Sequence, residues 1–210
     1  AARAGALLAA SGCLDGEVVG DPAQALALWK IREDGAGLAG VSLPDPAYPG
    51  WEDAAVPPAS LGSYLRDFDA LLASYGLHGL PYGHFGDGCL HVRIDFPFGA
   101  DGGSDRGRSR YRSFVEDAAR LVAGFGGSRS GEHGDGRARS ELLPLMYSPA
   151  VIDLFERVKA VFDPDDLLNP GVLVRPARLD EAVRMAAAPV LDRGAPPSLA
   201  LAYRHDGGDF

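Results

Sequence analysis

The sequence has 210 residues, of which 46% are hydrophobic and 23% charged, with a formal net charge of −9. That balance is ordinary for a globular domain with one sizeable core, and the acidic excess excludes a nucleic-acid binder, which needs a basic face. No run of 18 apolar residues is present, so no segment is long enough to span a membrane. Cys13 and Cys89 are too few for a disulfide framework, which makes a reducing, cytoplasmic compartment the default.

Ala1–Ala10 is apolar and Ala-rich, carries only Arg3, and lacks a starting Met and a cleavage site. It reads as the middle of a helix exposed by truncation, not as a signal peptide. Asp21-Pro22 starts a helix, with Asp as cap and Pro at the first helical position, and Gly35 ends it. Pro44 to Pro49 is a proline-rich loop. Pro57-Pro58 opens a second helix with Leu61, Tyr64, Leu65, Phe68, Leu72 and Tyr75 on one face, closed by Gly76. Residues 80–98 read as two short strands around a Gly-rich turn, and residues 99–110 as a polar loop. A third helix carries Tyr111, Phe114, Val115, Ala118, Leu121, Val122 and Phe125, and Gly126-Gly127 stops it. An extended piece, Ser128 to Gly136, follows. Ser148-Pro149 caps a fourth helix whose stripe is Val151, Leu154, Phe155, Val158, Val161 and Phe162, ended by Asp163-Pro164. From Val174 onward the periodicity is weak and the texture is that of a linker. Helices alternating with a hairpin predict an α+β fold with a mostly antiparallel sheet, one face covered by helices.

The strongest local signal is Gly83-His84-Phe85-Gly86-Asp87-Gly88-Cys89-Leu90-His91. A two-residue turn at Asp87-Gly88 pairs Gly86 with Cys89, Phe85 with Leu90 and His84 with His91. The two histidines then share one face with Cβ atoms roughly 5 Å apart, close enough for one metal ion. Phe85 and Leu90 point to the core. The same residues equally describe a hairpin with two polar surface histidines. Three glycines leave room for a ligand to approach, which favours the functional reading. Cys89 shares the parity of His91, but a small half-buried thiol is the commoner case. The second signal is Ser130-Gly131-Glu132-His133-Gly134-Asp135-Gly136. In an extended segment Glu132 and His133 point to opposite sides, so Glu132 can complete a two-His, one-carboxylate set while His133 accepts a proton. Taken alone, a Gly-rich surface loop explains the segment better. The third signal, Phe162 to Gly171, is fully explained as a helix stop and two turns.

GHFGDGCLH, then GEHGDG, then FDPDDLLNPG, in that order and spacing, resembles the C-terminal domain of FAD-linked oxidases of the vanillyl-alcohol-oxidase superfamily. The nearest types are the D-lactate, glycolate and D-2-hydroxyglutarate dehydrogenases, and the resemblance covers residues 20–175. It implies an α+β domain with a ferredoxin-like sheet, and FAD held mainly by an N-terminal domain outside this sequence. WKIREDGAGLAG, YPGWEDAAVPP and SLALAYRHDGGDF resemble a subclass fused to a downstream iron–sulfur domain. Residues 1–175 are thus expected to be the substrate-side domain, truncated at its N-terminus, and 176–210 a linker toward the iron–sulfur domain.

The resemblance also implies site residues. His84, His91 and Glu132 match the divalent metal ligands, zinc in type. His133 matches the base that takes the hydroxyl proton, Arg32 the arginine gripping the substrate carboxylate, and Asn169 a position beside the flavin. Three positions depart from the hydroxyglutarate enzymes: Arg93 stands for Asn, Trp51 for a substrate-binding Lys, and Val172 for a common Lys. These departures bear on which acid is oxidised. The implied reaction takes a small anionic D-2-hydroxy acid to its 2-oxo acid, with hydride passing to FAD. Arg32 and Arg93 offset substrate charge, and an electron acceptor is reached through the iron–sulfur domain, the one route to a membrane-associated partner. Two other classes fit the residues less completely: a stand-alone metal-dependent hydrolase using His84, His91 and Glu132, and an inactive fragment.

Overall fold

The computed structural model describes residues 2–10, 12, 19–45, 47–98, 105–181 and 183. In chain order the elements are α1 (Ala2–Ala10), α2 (Pro22–Glu33), α3 (Gly35–Val41), β1 (Tyr48–Ala55), α4 (Leu61–Ser74), β2 (Gly79–His84) and β3 (Cys89–Ile94). They continue with α5 (Asp105–Gly124), α6 (Gly136–Arg139) and α7 (Pro149–Phe162). Short 3₁₀ helices lie at Pro58–Ser60, Phe85–Asp87 and Ser140–Leu145.

The three strands form one antiparallel sheet in the order β1-β3-β2. Ser128, just after α5, adds a single antiparallel bridge to Ala55 at the outer edge of β1. The sequence of elements is therefore β-α-β-β-α followed by one residue of a fourth strand, the ferredoxin-like order with its last strand shrunk to a bridge. The α+β, antiparallel, helix-covered fold read from the sequence is the fold observed.

Alternation places the two faces. Leu90, Val92 and Ile94 of β3 are buried toward the helices, while Cys89, His91 and Arg93 line the opposite face. Against the first face pack Tyr64, Phe68 and Leu72 of α4 and Phe114, Val115, Ala118 and Val122 of α5, all within one apolar cluster. Each of these large side chains contributes on the order of 1.5–3 kcal/mol by leaving water. Edge-to-face ring contacts of Phe114 with Phe68, Tyr75 and Phe96, with centroids 5.5 to 5.9 Å apart, fix the helices over the sheet. β2 is an edge strand, which is why it tolerates Pro81.

Several expectations need correction. β1 was missed: Pro49, Gly50 and two register breaks erase the alternation that marks a strand. Gly35 does not end the helical segment; α2 stops at Glu33, Asp34 caps it, and α3 begins at once. Residues 105–110 are the first turns of α5, not loop, and residues 99–104 lie outside the described ones. Ser128 to Gly136 is not a strand beyond the bridge at Ser128. The α7 stripe is not core: Leu154, Val158, Val161 and Phe162 are exposed. Trp51 is buried in the core, its Nε1–H donating to the Tyr64 hydroxyl at 3.1 Å.

The stretch from Val174 to Asp180 is docked, not free. Val174 and Leu179 are buried, and Arg112 of α5 holds both Glu141, at 2.7 Å, and Asp180, at 2.9 Å. Residue 182 and residues 184–210 lie outside the described residues. Hydrogen bonds from Arg112 hold the Glu141 carboxyl below the ordinary carboxylate range. Those from Arg178 first, then Arg112, bring Asp180 down to about 2. Carboxyls lowered in the folded state stabilise it above their unfolded pKa and lose that contribution as pH falls. Glu141→Gln should therefore lower the melting temperature at pH 7, and the gap to wild type should close between about pH 5 and 2. A gap that is constant over that range in thermal melts would show that the Arg112 clamp does not depend on charge.

Candidate functional site

The polar face of the sheet carries the histidines. β2 and β3 pair Tyr82 with His91 and His84 with Cys89, so the hairpin closes through Phe85-Gly86-Asp87-Gly88 and not through Asp87-Gly88 alone. The observed register is slipped by two residues from the expected one. Because side chains alternate with period two, this slip keeps His84 and His91 on one face, now as diagonal neighbours with ring centroids 6.1 Å apart. Phe85 does not share the fate of Leu90: it sits in the 3₁₀ turn and is exposed. Gly88 takes φ 74° at the end of that turn, a conformation natural to glycine.

Glu132 and His133 arrive from the segment after α5. They do not point to opposite sides as an extended chain would have them. The backbone bends there, and the N–H groups of Glu132 and His133 both donate to the carboxylate of Asp53, at 2.9 and 2.7 Å. The Ser130 hydroxyl donates to the same carboxylate at 2.9 Å. Two successive N–H groups converging on one anion curl the chain, which brings both side chains to the same place. Glu132 Oε1 lies 3.4 Å from His84 Nε2, 3.2 Å from His91 Nε2 and 3.4 Å from His133 Nε2. The His91 and His133 rings stack with centroids 5.0 Å apart. His84, His91 and His133 thus all approach Glu132 Oε1, but the group whose ligand atoms lie mutually closest is Asp53, His91, Glu132 and His133, and His84 is not in it.

Asp53 was not singled out from the sequence, yet it organises this centre. It is fully buried, at φ 74°, and its own N–H donates to His91 Nδ1 at 3.2 Å. Burial by itself would raise its carboxyl pKa; the bonds from His133, Ser130 and Glu132 outweigh that and hold it below the ordinary range. A buried acid in a left-handed conformation, which Asp tolerates better than most residues, is the physical mark of its task. The only hint in the sequence is an acidic pair in an otherwise apolar stretch, Glu52-Asp53-Ala54-Ala55-Val56. Arg139 braces the same loop, donating from Nη1 to the Glu52 carbonyl at 3.1 Å and from Nη2 to that of Gly134 at 2.8 Å.

As ligands the residues divide by exposure. Asp53, His91, Glu132 and His133 offer ligand atoms that all lie within 4.8 Å of one another, with Asp53 and His91 buried and the other two open. Nitrogen and carboxylate donors facing a partly open space suit a divalent ion with a free position. Cys89 is buried beside Asp53, and burial first, then that carboxylate, pushes its thiol up to about 11. A thiol so reluctant to ionise is a poor ligand.

The remaining predicted residues lie away from the cluster or at its rim. Arg93 Nη1 approaches Glu52 Oε1 at 3.4 Å, on the same face as His91. Arg32 is exposed on α2 with its guanidinium over the Trp29 ring, 5.0 Å from the centroid. Among the described residues it makes no ion pair with the cluster. Asn169 sits at φ 53° in the exposed turn after α7, and Val172 follows it in the same turn region.

The profile of the family described as FAD linked oxidases, C-terminal domain, matches residues 1–173. The chain belongs to that family. Among curated proteins it is 37% identical over 129 residues to the D-2-hydroxyglutarate dehydrogenase of Escherichia coli K12, a match covering 61% of this chain and 12% of that protein. It is 36% identical over 123 residues to the D-lactate dehydrogenase of Archaeoglobus fulgidus, covering 59% of this chain and 26% of the relative. It is 31% identical over 169 residues to the glycolate oxidase subunit GlcD of Escherichia coli K12, covering 80% and 32%. The chain therefore spans a third or less of the length of each of these relatives. No helix among the described residues is long and apolar enough to cross a membrane.

Proposed function

We propose that this chain is the substrate-side part of a flavin-dependent dehydrogenase that oxidises a small D-2-hydroxy acid to the 2-oxo acid. The observation that carries the reading is the convergence of three imidazole Nε2 atoms on Glu132 Oε1 within a domain of this family. His84, His91 and Glu132 would hold a divalent ion, zinc in type, and their donor chemistry fits one. Such an ion, when bound, lowers the pKa of a coordinated hydroxyl. FAD, when bound, takes up the hydride from the α-carbon.

The chain's own residues do the rest. His133, open to solvent beside the cluster, accepts the substrate's hydroxyl proton at a ring nitrogen. Arg93 lends positive charge at the rim; a substrate-gripping role for Arg32, a task suited to a planar guanidinium, rests on the resemblance of the sequence alone, since Arg32 lies exposed over Trp29. Exposed Leu167 and Leu168 precede Asn169 and offer an apolar contact for a flat ring. FAD itself is held mostly by a domain outside this chain, and electrons leave through an iron–sulfur domain; both parts rest on the resemblance of the sequence.

The test has two arms. Purified chain should bind one Zn²⁺ per molecule by competition with a chromogenic chelator. A flavin-loaded protein containing this domain should reduce a dye with D-2-hydroxyglutarate, D-lactate or glycolate and not with the L-acids. Zinc binding without flavin-dependent oxidation of any hydroxy acid would leave a metal module and remove the dehydrogenase.

A further inference from the structure

Glu52 has no part in the reading above, yet its carboxylate is surrounded by the site. It leaves β1 next to Asp53 and is mostly buried. Its Oε2 lies 3.6 Å from His91 Nδ1 and accepts from the Tyr82 hydroxyl at 3.3 Å. Its Oε1 is buried and accepts no hydrogen bond among the described residues, with the Arg93 guanidinium only approaching it. Oε2, the oxygen nearer His91, keeps acceptor capacity beyond the Tyr82 hydroxyl and can take a further donor.

His91 supplies the reason. Its Nδ1 has two neighbours of opposite kind: the Asp53 N–H, a donor at 3.2 Å, and Glu52 Oε2, an acceptor at 3.6 Å. Accepting from Asp53 leaves the neutral ring's single proton on Nε2, where Glu132 Oε1 stands 3.2 Å away. A cation at Nε2 needs that lone pair free. The ring then gives its Nε2 proton to water and takes one from water at Nδ1, with no change of charge. Nδ1–H can no longer accept from Asp53, and the acceptor beside it is Glu52.

We propose that Glu52 is a positioning residue for His91, receiving the Nδ1–H and so fixing the tautomer in which Nε2 binds a divalent ion. The inference rests on the reading of His91 as a ligand. A carboxylate behind a ligating imidazole orients the ring and raises its basicity. Tyr82 and Arg93 hold the carboxylate in turn, the hydroxyl by its hydrogen bond and the guanidinium by its charge. The Tyr82 ring also lies 5.3 Å from that of His91, which keeps the imidazole from swinging outward.

The test measures Zn²⁺ affinity in the purified 210-residue chain by chelator competition, for wild type, Glu52→Ala and Glu52→Gln. Loss of an outer-shell partner typically weakens metal binding about 10–100-fold. Glu52→Ala should fall toward the upper end of that range and Glu52→Gln, which still accepts but without charge, toward the lower. Circular dichroism checks that each variant is folded, and Glu52→Gln, nearly isosteric, decides the matter should the alanine variant unfold. The second readout is proton NMR of the Co²⁺-loaded chain. Wild type should show a hyperfine-shifted exchangeable proton from His91 Nδ1, broadened by water exchange in the variants while the signal from His84 persists. Zinc affinity of Glu52→Gln within twofold of wild type, with the His91 signal unchanged, overturns the inference alone. A wild-type chain that binds no Zn²⁺ overturns the metal reading as well.

Discussion

Replacing His133 by alanine in a flavin-loaded protein should cut turnover by a factor on the order of 10²–10⁴ while leaving metal content near normal, the usual worth of a positioned general base. The loss should shrink at high pH, where hydroxide takes over part of the proton removal. Glu132→Ala should act differently and strip the metal, because two histidines alone are too sparse to hold zinc. The two residues are adjacent in sequence, and their side chains touch at 3.4 Å. Rate therefore cannot separate them, since both variants lose activity. Metal analysis beside kinetics can. Should His133→Ala lose the metal and Glu132→Ala keep it, His133 belongs to the ligand set and Glu132 does not. The geometry makes this a real contest, because His133 stacks on His91 and offers its nitrogen to the same centre.

Asp53→Ala carries the second large expectation. It removes the acceptor of the Glu132 and His133 N–H groups and of the Ser130 hydroxyl, at a site that is fully buried. Losing charge-assisted bonds of this kind costs about 1.5–3 kcal/mol each in isolation, and neighbouring losses do not simply add. Alanine also takes φ 74° less readily than Asp does. We expect a stability loss of about 3 kcal/mol or more in urea unfolding, with Zn²⁺ binding lost even below the midpoint of unfolding. Asp53→Asn keeps the turn conformation and one acceptor, so it should fall between wild type and alanine. Wild-type stability together with wild-type zinc affinity in Asp53→Ala would mean that the loop is held by Arg139 and the sheet bridge instead.

The site was readable where it is written in residue types, and unreadable where it is written in backbone. Two histidines seven positions apart on either side of the hairpin loop, and a Glu-His pair among glycines, declare themselves. Their meeting was expected even though the register was not, because the slip is even and preserves the face. Asp53 and Glu52 stayed hidden for a different reason. They lie on a strand whose alternation is broken by Pro49, Gly50 and two irregularities in pairing, so neither the strand nor the direction of its carboxylates follows from the pattern. The mutual arrangement of Glu132 and His133 was hidden as well, since it follows from a bend imposed by a residue about 80 positions earlier, too far for any local rule. The apolar stripe of α7 shows the opposite limit: the 3.6-residue period was right about the helix, but periodicity says nothing of whether a partner covers it.

The two-residue alternation of the hairpin sets a rule for how this protein tolerates change. β3 is fixed by pairing on both sides, whereas among the described residues β2 is held on one side only, so a length change in Phe85-Gly86-Asp87-Gly88 that the turn cannot absorb is taken up by β2 sliding. A slide of one residue turns His84 toward the helices and a neighbouring glycine or Phe85 toward the cluster; a slide of two restores a side chain of the original parity. Insertions and deletions in this turn should therefore be accepted in pairs and rejected singly. A library of turn lengths, sorted by zinc retention, would then alternate between binding and non-binding members like the teeth of a ratchet.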